Sequence, residues 1–330
     1  MTLQRSLTLG ALLLGFVVVV AGAYVRLSHA GLGCPDWPGC YGRLTPAQAA
    51  QDIERSVRAQ GGEHGPVSLA KAWKEMGHRY LAGTLGLLII AIAALAWRRR
   101  ESRLLAGATL AVVVFQATLG MWTVTLLLKP AIVTAHLLGG MALLALLACL
   151  ALVQWPHRPA PQARGLRRPA AFGLGAIAVQ IALGGWVSAN YAALACPDFP
   201  LCLGQALPPM DFANAFHVMR ELGMTPDGAL LSREALTAIH WTHRVFALVA
   251  VAAAGWAAWC AWRLGALRPL GALIAAVLAV QFALGAANVL AGLPLWLAAA
   301  HNAGAALLLT GLVVLNFFSF RGLQPHWPPT

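Results

Sequence analysis

Eight long apolar runs leave this chain few ways to fold. Leu7 to Val25, Gly77 to Trp97, Leu104 to Thr125, Ala131 to Val153, Pro169 to Val187, Leu236 to Trp262, Leu267 to Leu290 and Leu293 to Phe318 each come close to or exceed the roughly 20 residues that a helix needs to cross a hydrocarbon core. Water is absent there, so the backbone must satisfy its own hydrogen bonds and the runs must be helical. Hydrophobic residues make up 59% of the 330 positions and charged residues 10%, too little polarity to clothe a water-soluble fold of this length. The expectation is an all-α polytopic membrane protein with eight transmembrane helices.

A net charge of +12 raises the question of nucleic acid, and the distribution of the charge answers it. Arg98, Arg99, Arg100 and Arg103 fall in one short connection, Arg158, Arg164, Arg167 and Arg168 in another, and Arg263 and Arg268 in a third. Arg5 precedes the first run and Arg321 follows the last, whereas the short connections on the opposite side offer only Lys129. This is the positive-inside pattern, so no nucleic-acid partner is expected. Both termini are expected in the cytoplasm and the long loops, Arg26 to Met76 and Ser188 to Ala235, outside, in lipid of a cell membrane. Arg5, the apolar stretch and Ala21-Gly22-Ala23 give the first run the look of a cleavable signal. Its counterpart in the second half makes it a retained span.

That counterpart belongs to an internal repeat. Gly22-Ala23-Tyr24-Val25 and Cys34-Pro35-Asp36-Trp37-Pro38-Gly39-Cys40 return as Gly184-Gly185-Trp186-Val187 and Cys196-Pro197-Asp198-Phe199-Pro200-Leu201-Cys202. After the long loops, His78-Arg79 matches His243-Arg244, Gln116 matches Gln281, Leu119-Gly120 matches Leu284-Gly285, and His136 matches His301. Four spans per half return each half to the side it began on. Two tandem four-helix bundles are therefore expected, residues 1–158 and 169–330, joined by a cytoplasmic linker at 159–168 and related by a pseudo-two-fold axis along the membrane normal.

His78, His136, His243 and His301 lie in or at the mouth of the even-numbered spans, near the outer end. A single membrane histidine ordinarily just hydrogen-bonds a neighbouring helix. A histidine on the second and fourth spans of each half, reproduced by the repeat, is instead what a planar cofactor clamped between helices requires. Gly83, Gly86, Gly139, Gly140 and Gly304 would admit a macrocycle, or serve plain helix packing. Zinc fits less well, because neither half offers a close cluster of three or four ligands. Arg79 and Arg244 read either as partners of haem propionates or as snorkelling interfacial arginines.

Cys34 with Cys40 and Cys196 with Cys202 fall in outward loops, where the Pro-Asp-aromatic-Pro turn between them suits a disulfide. Cys149 and Cys260 lie within spans and read as small core residues. The loop pairs are structural staples or redox-active dithiols, the staple being the simpler reading since both halves keep it. Thr45-Pro46 and Asp211 resemble helix starts, so short helices are expected in both loops. The halves diverge most clearly three residues before His-Arg: Glu75 in the first, His240 in the second. Arg26 and His29 likewise become Ser188 and Tyr191. Glu75 shares a helix face with His78. It reads as a proton acceptor beside a metal centre, or as an acidic residue favourable near a helix start.

Together, Gly22-Ala23-Tyr24-Val25-Arg26-Leu27-Ser28, Gly31-Leu32-Gly33-Cys34-Pro35-Asp36-Trp37-Pro38, Glu75-Met76-Gly77-His78-Arg79, Thr134-Ala135-His136, Thr242-His243-Arg244 and His301 resemble the haem A synthase family over nearly the whole chain. The resemblance implies a membrane-bound oxidoreductase of the bacterial inner membrane. Such an enzyme oxidises the C8 methyl of haem O to a formyl group, making haem A for terminal oxidases by stepwise hydroxylation to an aldehyde hydrate that loses water. It implies a haem b cofactor, with its iron, held by His243 and His301. His78 and His136 would face the substrate haem and Glu75 would be catalytic. Four loop cysteines resemble the bacterial members that keep both pairs, among which the first pair is implicated in activity. Haem O synthase and a membrane electron acceptor are the implied partners, and an oligomer is compatible with the pattern. Three other readings use the same residues: a dihaem b-type electron-transfer cytochrome linked to quinol, a haem transporter, and a thiol oxidase. A purely electron-carrying protein has no obvious need for a carboxylate in one half only.

Overall fold

A computed structural model describes residues 2–62 and 64–325. Its helices are α1 (Leu3–Leu27), α2 (Ala50–Ala59), α3 (Leu69–Arg99), α4 (Arg103–Thr125), α5 (Pro130–Val153), α6 (Arg167–Ala189), α7 (Phe212–Ala215), α8 (Arg233–Arg263), α9 (Arg268–Leu290) and α10 (Leu295–Arg321). Among the described residues, eight helices are long and apolar enough to cross a membrane; seven contain a predicted run whole, and the last begins at Leu295, two residues after the run predicted from Leu293. The protein is an all-α polytopic membrane protein. Large apolar side chains such as Leu13, Leu87 and Leu104 are exposed on its flanks, as a lipid-facing surface requires.

The helices that carry His78 and His243 start well before their apolar runs do. Ser68 and Ser232 cap them in extended conformation, their side chains accepting from the Lys71 amide at 3.2 Å and the Ala235 amide at 3.1 Å. Glu75 and His78 therefore sit inside α3, His78 in its third turn, rather than at a helix mouth.

Within each half the helices form a closed ring. α1 packs on α3, α3 on α4, α4 on α5 and α5 back on α1; α6, α8, α9 and α10 repeat the circuit. The two rings meet through α5 against α10, α1 against α10 and α5 against α6. Small residues set the closest of these contacts. Gly173 of α6 lies so near α8 that an added Cβ would stand 3.1 Å from the Ala257 methyl and 3.3 Å from the Ala253 oxygen. Ala250, Ala254, Ala257, Ala258 and Ala261 line that face of α8 in the main apolar core. The repeat is visible bond by bond: Gln154 donates to the Thr8 hydroxyl at 3.0 Å, and Asn316 to the Ala170 carbonyl at 2.8 Å, each tying the last helix of a ring to its first.

Where the sequence predicts a polar linker, the chain is packed. Residues His157–Pro159 (β1) pair antiparallel with Leu323–Pro325 (β2), a small ribbon beside the helices. A 3₁₀ turn over Pro161–Leu166 follows and lies on α10, with the Ala160 amide donating to the Gly322 carbonyl at 2.8 Å. In the long loops Asp211 caps α7, accepting from the Asn214 amide at 3.2 Å. The first loop departs from expectation. Thr45 and Gln48 exchange hydrogen bonds around a turn, and α2 begins only at Ala50.

Both cysteine pairs are disulfides, with Cα atoms 4.9 Å apart at Cys34–Cys40 and 4.7 Å at Cys196–Cys202. An aspartate shapes the turn inside each. Asp36 accepts from the Tyr41 and Gly42 amides at 2.6 and 2.7 Å, and Asp198 from those of Leu203 and Gly204 at 2.6 and 2.8 Å. Gly42 and Gly204 stand at φ +70° and +72°, where glycine carries no steric cost. The Gly204 amide foremost, with that of Leu203, holds the Asp198 carboxyl below the usual carboxylate range. A depressed carboxylate stabilises its fold above its unfolded value, about 3.9, and the contribution is lost as pH falls through the lower folded value. Amide exchange at Leu203 and Gly204, measured at one near-neutral pH, should accelerate in Asp198→Asn. The Asp198 carboxyl resonance of the wild type should titrate below free aspartate.

Candidate functional site

All four singled-out histidines make the same contact. Each imidazole Cε1 lies against a glycine on the neighbouring helix of its own ring, so close that an added Cβ would stand 2.9 Å from His78 at Gly22 (α1), 3.3 Å from His136 at Gly120 (α4), 3.1 Å from His243 at Gly184 (α6) and 3.2 Å from His301 at Gly285 (α9). A side chain there would crowd the ring, most at Gly22, and glycine leaves it room without a shift. Gly22 and Gly184 belong to the repeated Gly-x-x-Val stretch and Gly120 and Gly285 to the repeated Leu-Gly pair, so the repeat duplicates the seat of each histidine along with the histidine itself. His78 is within electrostatic range of His136, and His243 of His301. The four thus come together as two pairs, one per ring.

Amide side chains hold the pairs unequally. Gln116 donates to the His136 carbonyl at 2.9 Å and Gln281 to the His301 carbonyl at 2.9 Å. In the second ring alone, amides also reach imidazole nitrogens: Gln180 lies 3.2 Å from His243 Nδ1 and donates to the His243 carbonyl at 3.1 Å, and Gln281 Nε2 lies 3.5 Å from His301 Nε2. Val18 occupies the position of Gln180 in the first half. Buried Nδ1 atoms of His78, His136 and His301 have no hydrogen-bond partner. An orphaned buried nitrogen costs about 1–3 kcal/mol unless something else binds it. Among the described residues no three His, Cys, Asp or Glu side chains gather as a metal site. The available chemistry is therefore that of two imidazoles in each helix ring, a donor set of the kind that suits a metal carried in a macrocycle.

Glu75 and His240 occupy the same place, and they hold it differently. Glu75 accepts from the Cys34 amide at 2.9 Å and from Arg79 Nη2 at 2.5 Å, an ion pair whose side chains are only 5% and 12% exposed. His240 meets the Cys196 amide at 3.4 Å and Arg244 Nε at 3.2 Å through its two ring nitrogens. A carboxylate accepts both donors at once. A neutral imidazole has one acceptor nitrogen, so His240 satisfies one of them and leaves the other contact loose. The arginines complete both clasps. Arg79 donates to the Asp36 and Gly39 carbonyls at 2.8 and 2.5 Å, and Arg244 to those of Asp198 and Leu201 at 2.7 and 2.9 Å. Arg244 adds the Cys196 carbonyl at 2.6 Å. Both guanidiniums, which the sequence leaves open between propionate partners and snorkelling arginines, thus spend most of their donors on the disulfide loops, binding each loop above its histidine pair. Repetition of His-Arg signalled these residues; nothing local in the sequence signalled that the loop carbonyls are what they bind.

Sequence reading missed Gln180, because nothing in the first half marks its position, and it missed Gly22, Gly120, Gly184 and Gly285 as histidine seats. Breaking a buried ion pair from one side leaves an uncompensated charge, at about 3–5 kcal/mol. Glu75→Ala should therefore lower the detergent unfolding midpoint clearly, whereas Glu75→His, which copies the second half, should lower it less. A Glu75→Ala midpoint equal to that of wild type would mean that the clasp contributes nothing.

A model of the cytochrome oxidase assembly protein family COX15-CtaA matches residues 5–313. A Heme A synthase of Shewanella oneidensis is 39% identical over 306 residues, which cover 92% of each chain. A Heme A synthase of Caulobacter vibrioides is 29% identical over 334 residues, covering 94% of this chain and 93% of that one. A third similar protein, the Heme A synthase of Halalkalibacterium halodurans, is 28% identical over 241 residues, covering 70% and 73%.

Proposed function

The chain belongs to the COX15-CtaA family of cytochrome oxidase assembly proteins, and from that premise we propose that it is a haem A synthase, a membrane oxidoreductase converting the C8 methyl of haem O into the formyl group of haem A. The observation that carries the reading at the level of residues is the fourfold histidine-on-glycine contact in two unequal pairs. The His243 and His301 pair, whose ring nitrogens are met by Gln180 and Gln281, is the fixed site, and its donor set suits the iron of a haem b. When bound, that group supplies a one-electron redox centre beside the reacting half. The His78 and His136 pair, without such amide contacts, is the site where haem O arrives and leaves.

Glu75, one helical turn from His78 on the same face, is assigned to accepting the proton released as the methyl is oxidised. The two donors on its carboxylate favour a second reading, in which Glu75 positions the Cys34–Cys40 loop over the substrate and touches no reacting atom. Arg79 and Arg244 have one role under both readings, holding the loops, and any propionate contact falls to their remaining donors. With water as the source of the formyl oxygen, converting the methyl releases four protons and four electrons, and a membrane electron acceptor takes the electrons; haem O synthase is the source of substrate. Arginines clustered in the short connections support cytoplasmic termini and outward long loops in a bacterial inner membrane. The exchanged contacts, α1 with α10 and α6 with α5, support a pseudo-two-fold axis between the halves 1–158 and 169–330, joined at 159–168, and an oligomer is compatible with the lipid-facing surface.

Co-expression with a haem O synthase, followed by chromatography of extracted haems, tests the proposal. Wild type should yield haem A, and haem O alone would sink the reading. His243→Ala should lose tightly retained haem along with conversion, and His78→Ala conversion with that haem kept. Glu75→Gln keeps an acceptor for the Cys34 amide but cannot take a proton. If Glu75 is the proton acceptor, conversion should fall by about a hundredfold or more; if it only positions the loop, Glu75→Gln and Glu75→His should both keep most of the activity.

A further inference from the structure

Above the first histidine pair the protein holds a cavity of about 280 Å³, lined by Arg26, His29, Lys71, Leu128 and Tyr191 among others, with no acidic side chain among the described residues. Its position follows from helix periodicity. Arg26 is one turn beyond Gly22, the seat of His78, and Lys71 is two turns before His78 on α3, so both cations project from the faces that bear the histidine site, toward the loop end. Nearby, Arg26 lies 4.0 Å over the Tyr191 ring, on which His29 also stacks at 5.4 Å between centroids.

The cations have donors to spare. Arg26 uses Nη2 on the Ser188 and Ala189 carbonyls at 2.7 and 3.2 Å, while its Nε is buried without a partner. Lys71 gives one hydrogen bond, to the Gly65 carbonyl at 2.6 Å, of the three an ammonium offers. Burial, with the positive charge of Arg26 and Lys71, holds His29 below its ordinary value, so the chamber is a site of unbalanced positive potential. The second half has no equivalent: Ser188, Tyr191 and Leu236 stand where Arg26, His29 and Lys71 stand in the first.

We propose that this chamber receives the carboxylate groups of the exchanging haem, with Arg26 and Lys71 as the anion-binding residues. The proposal rests on the reading of the His78 and His136 pair as the substrate site. A guanidinium and an ammonium provide charge-assisted donors to carboxylates, and placing them over only one pair gives a reason for directional loading of that half. The competing account is that Arg26 merely caps the C-terminal carbonyls of α6, which the field of that helix end also favours.

The test is a titration of the full chain in detergent with ferric protoporphyrin IX and, separately, its dimethyl ester, followed by the Soret band of the exchangeable haem. It compares wild type, Arg26→Gln, Lys71→Gln and the double variant. Wild type should bind the free acid about tenfold or more tightly than the ester, and the double variant should bring the two affinities together by weakening only the acid. Equal affinities in wild type, or an acid preference surviving in the double variant, would overturn the assignment. Should Arg26→Gln destabilise the fold through the α6 cap, Lys71→Gln, remote from that cap, still decides by its own acid-to-ester ratio. Haem chromatography on the same proteins separates the two claims. Absence of haem A with the acid preference intact removes the synthase reading alone, and haem A formation without any acid preference removes the chamber alone.

Discussion

Hydrocarbon gives a polar side chain no partner, and this protein is arranged around that fact. Eight helices satisfy their own backbones, and the amides of Gln116, Gln281, Gln154 and Asn316 are spent on carbonyls or hydroxyls of neighbouring helices. Against this background the imidazoles stand out. Their rings are pressed on glycines, and three of four Nδ1 atoms are buried with nothing to bond. Other buried polar atoms also lack partners, among them Thr134 Oγ1, Thr237 Oγ1 and Asn288 Oδ1, so what sets the imidazoles apart is the repeated contact with glycine rather than the orphaned nitrogen alone.

Duplication explains the economy of the arrangement, and divergence explains its use. Each half copies the ring of four helices, the disulfide turn with its aspartate, the arginine that grips the turn and the two histidine seats. Three changes break the equivalence. Glutamate replaces histidine at the clasp, which lets one residue accept both the loop amide and the arginine. Valine replaces glutamine beside the first histidine, which leaves the His78 ring without the amide contact that His243 has. Cations gather above one pair only. Together they distinguish the first pair from the second: an ion pair clasps its loop, its rings lack amide contacts, and cations line a cavity at the loop end of its half.

Much of this was legible in the chain. Apolar run lengths predicted eight spans, the repeated motifs predicted two disulfides, and the recurrence of histidine on alternate spans singled out the four that the structure seats on glycines. Where reading failed, it failed at boundaries and partners. Polar first turns hid the starts of α3 and α8, because capping serines, not hydrophobicity, begin those helices. The linker at 159–168 reads as a polar connection from its prolines and arginines, yet it packs, because Pro159 pairs with Leu323 and the turn that follows lies on α10.

Composition and apolar run length determined the solvent of this protein and the number of its membrane-spanning helices, and the repeat singled out four of its histidines, since each depends on properties carried along the chain itself. Tertiary structure decided what those residues do for one another. That Arg79 and Arg244 grip loop carbonyls, that Gly22 seats His78, and that Arg26 meets the second half of the chain all depend on which helix faces meet. Facing is a property of the packed rings, and no single run of sequence carries it.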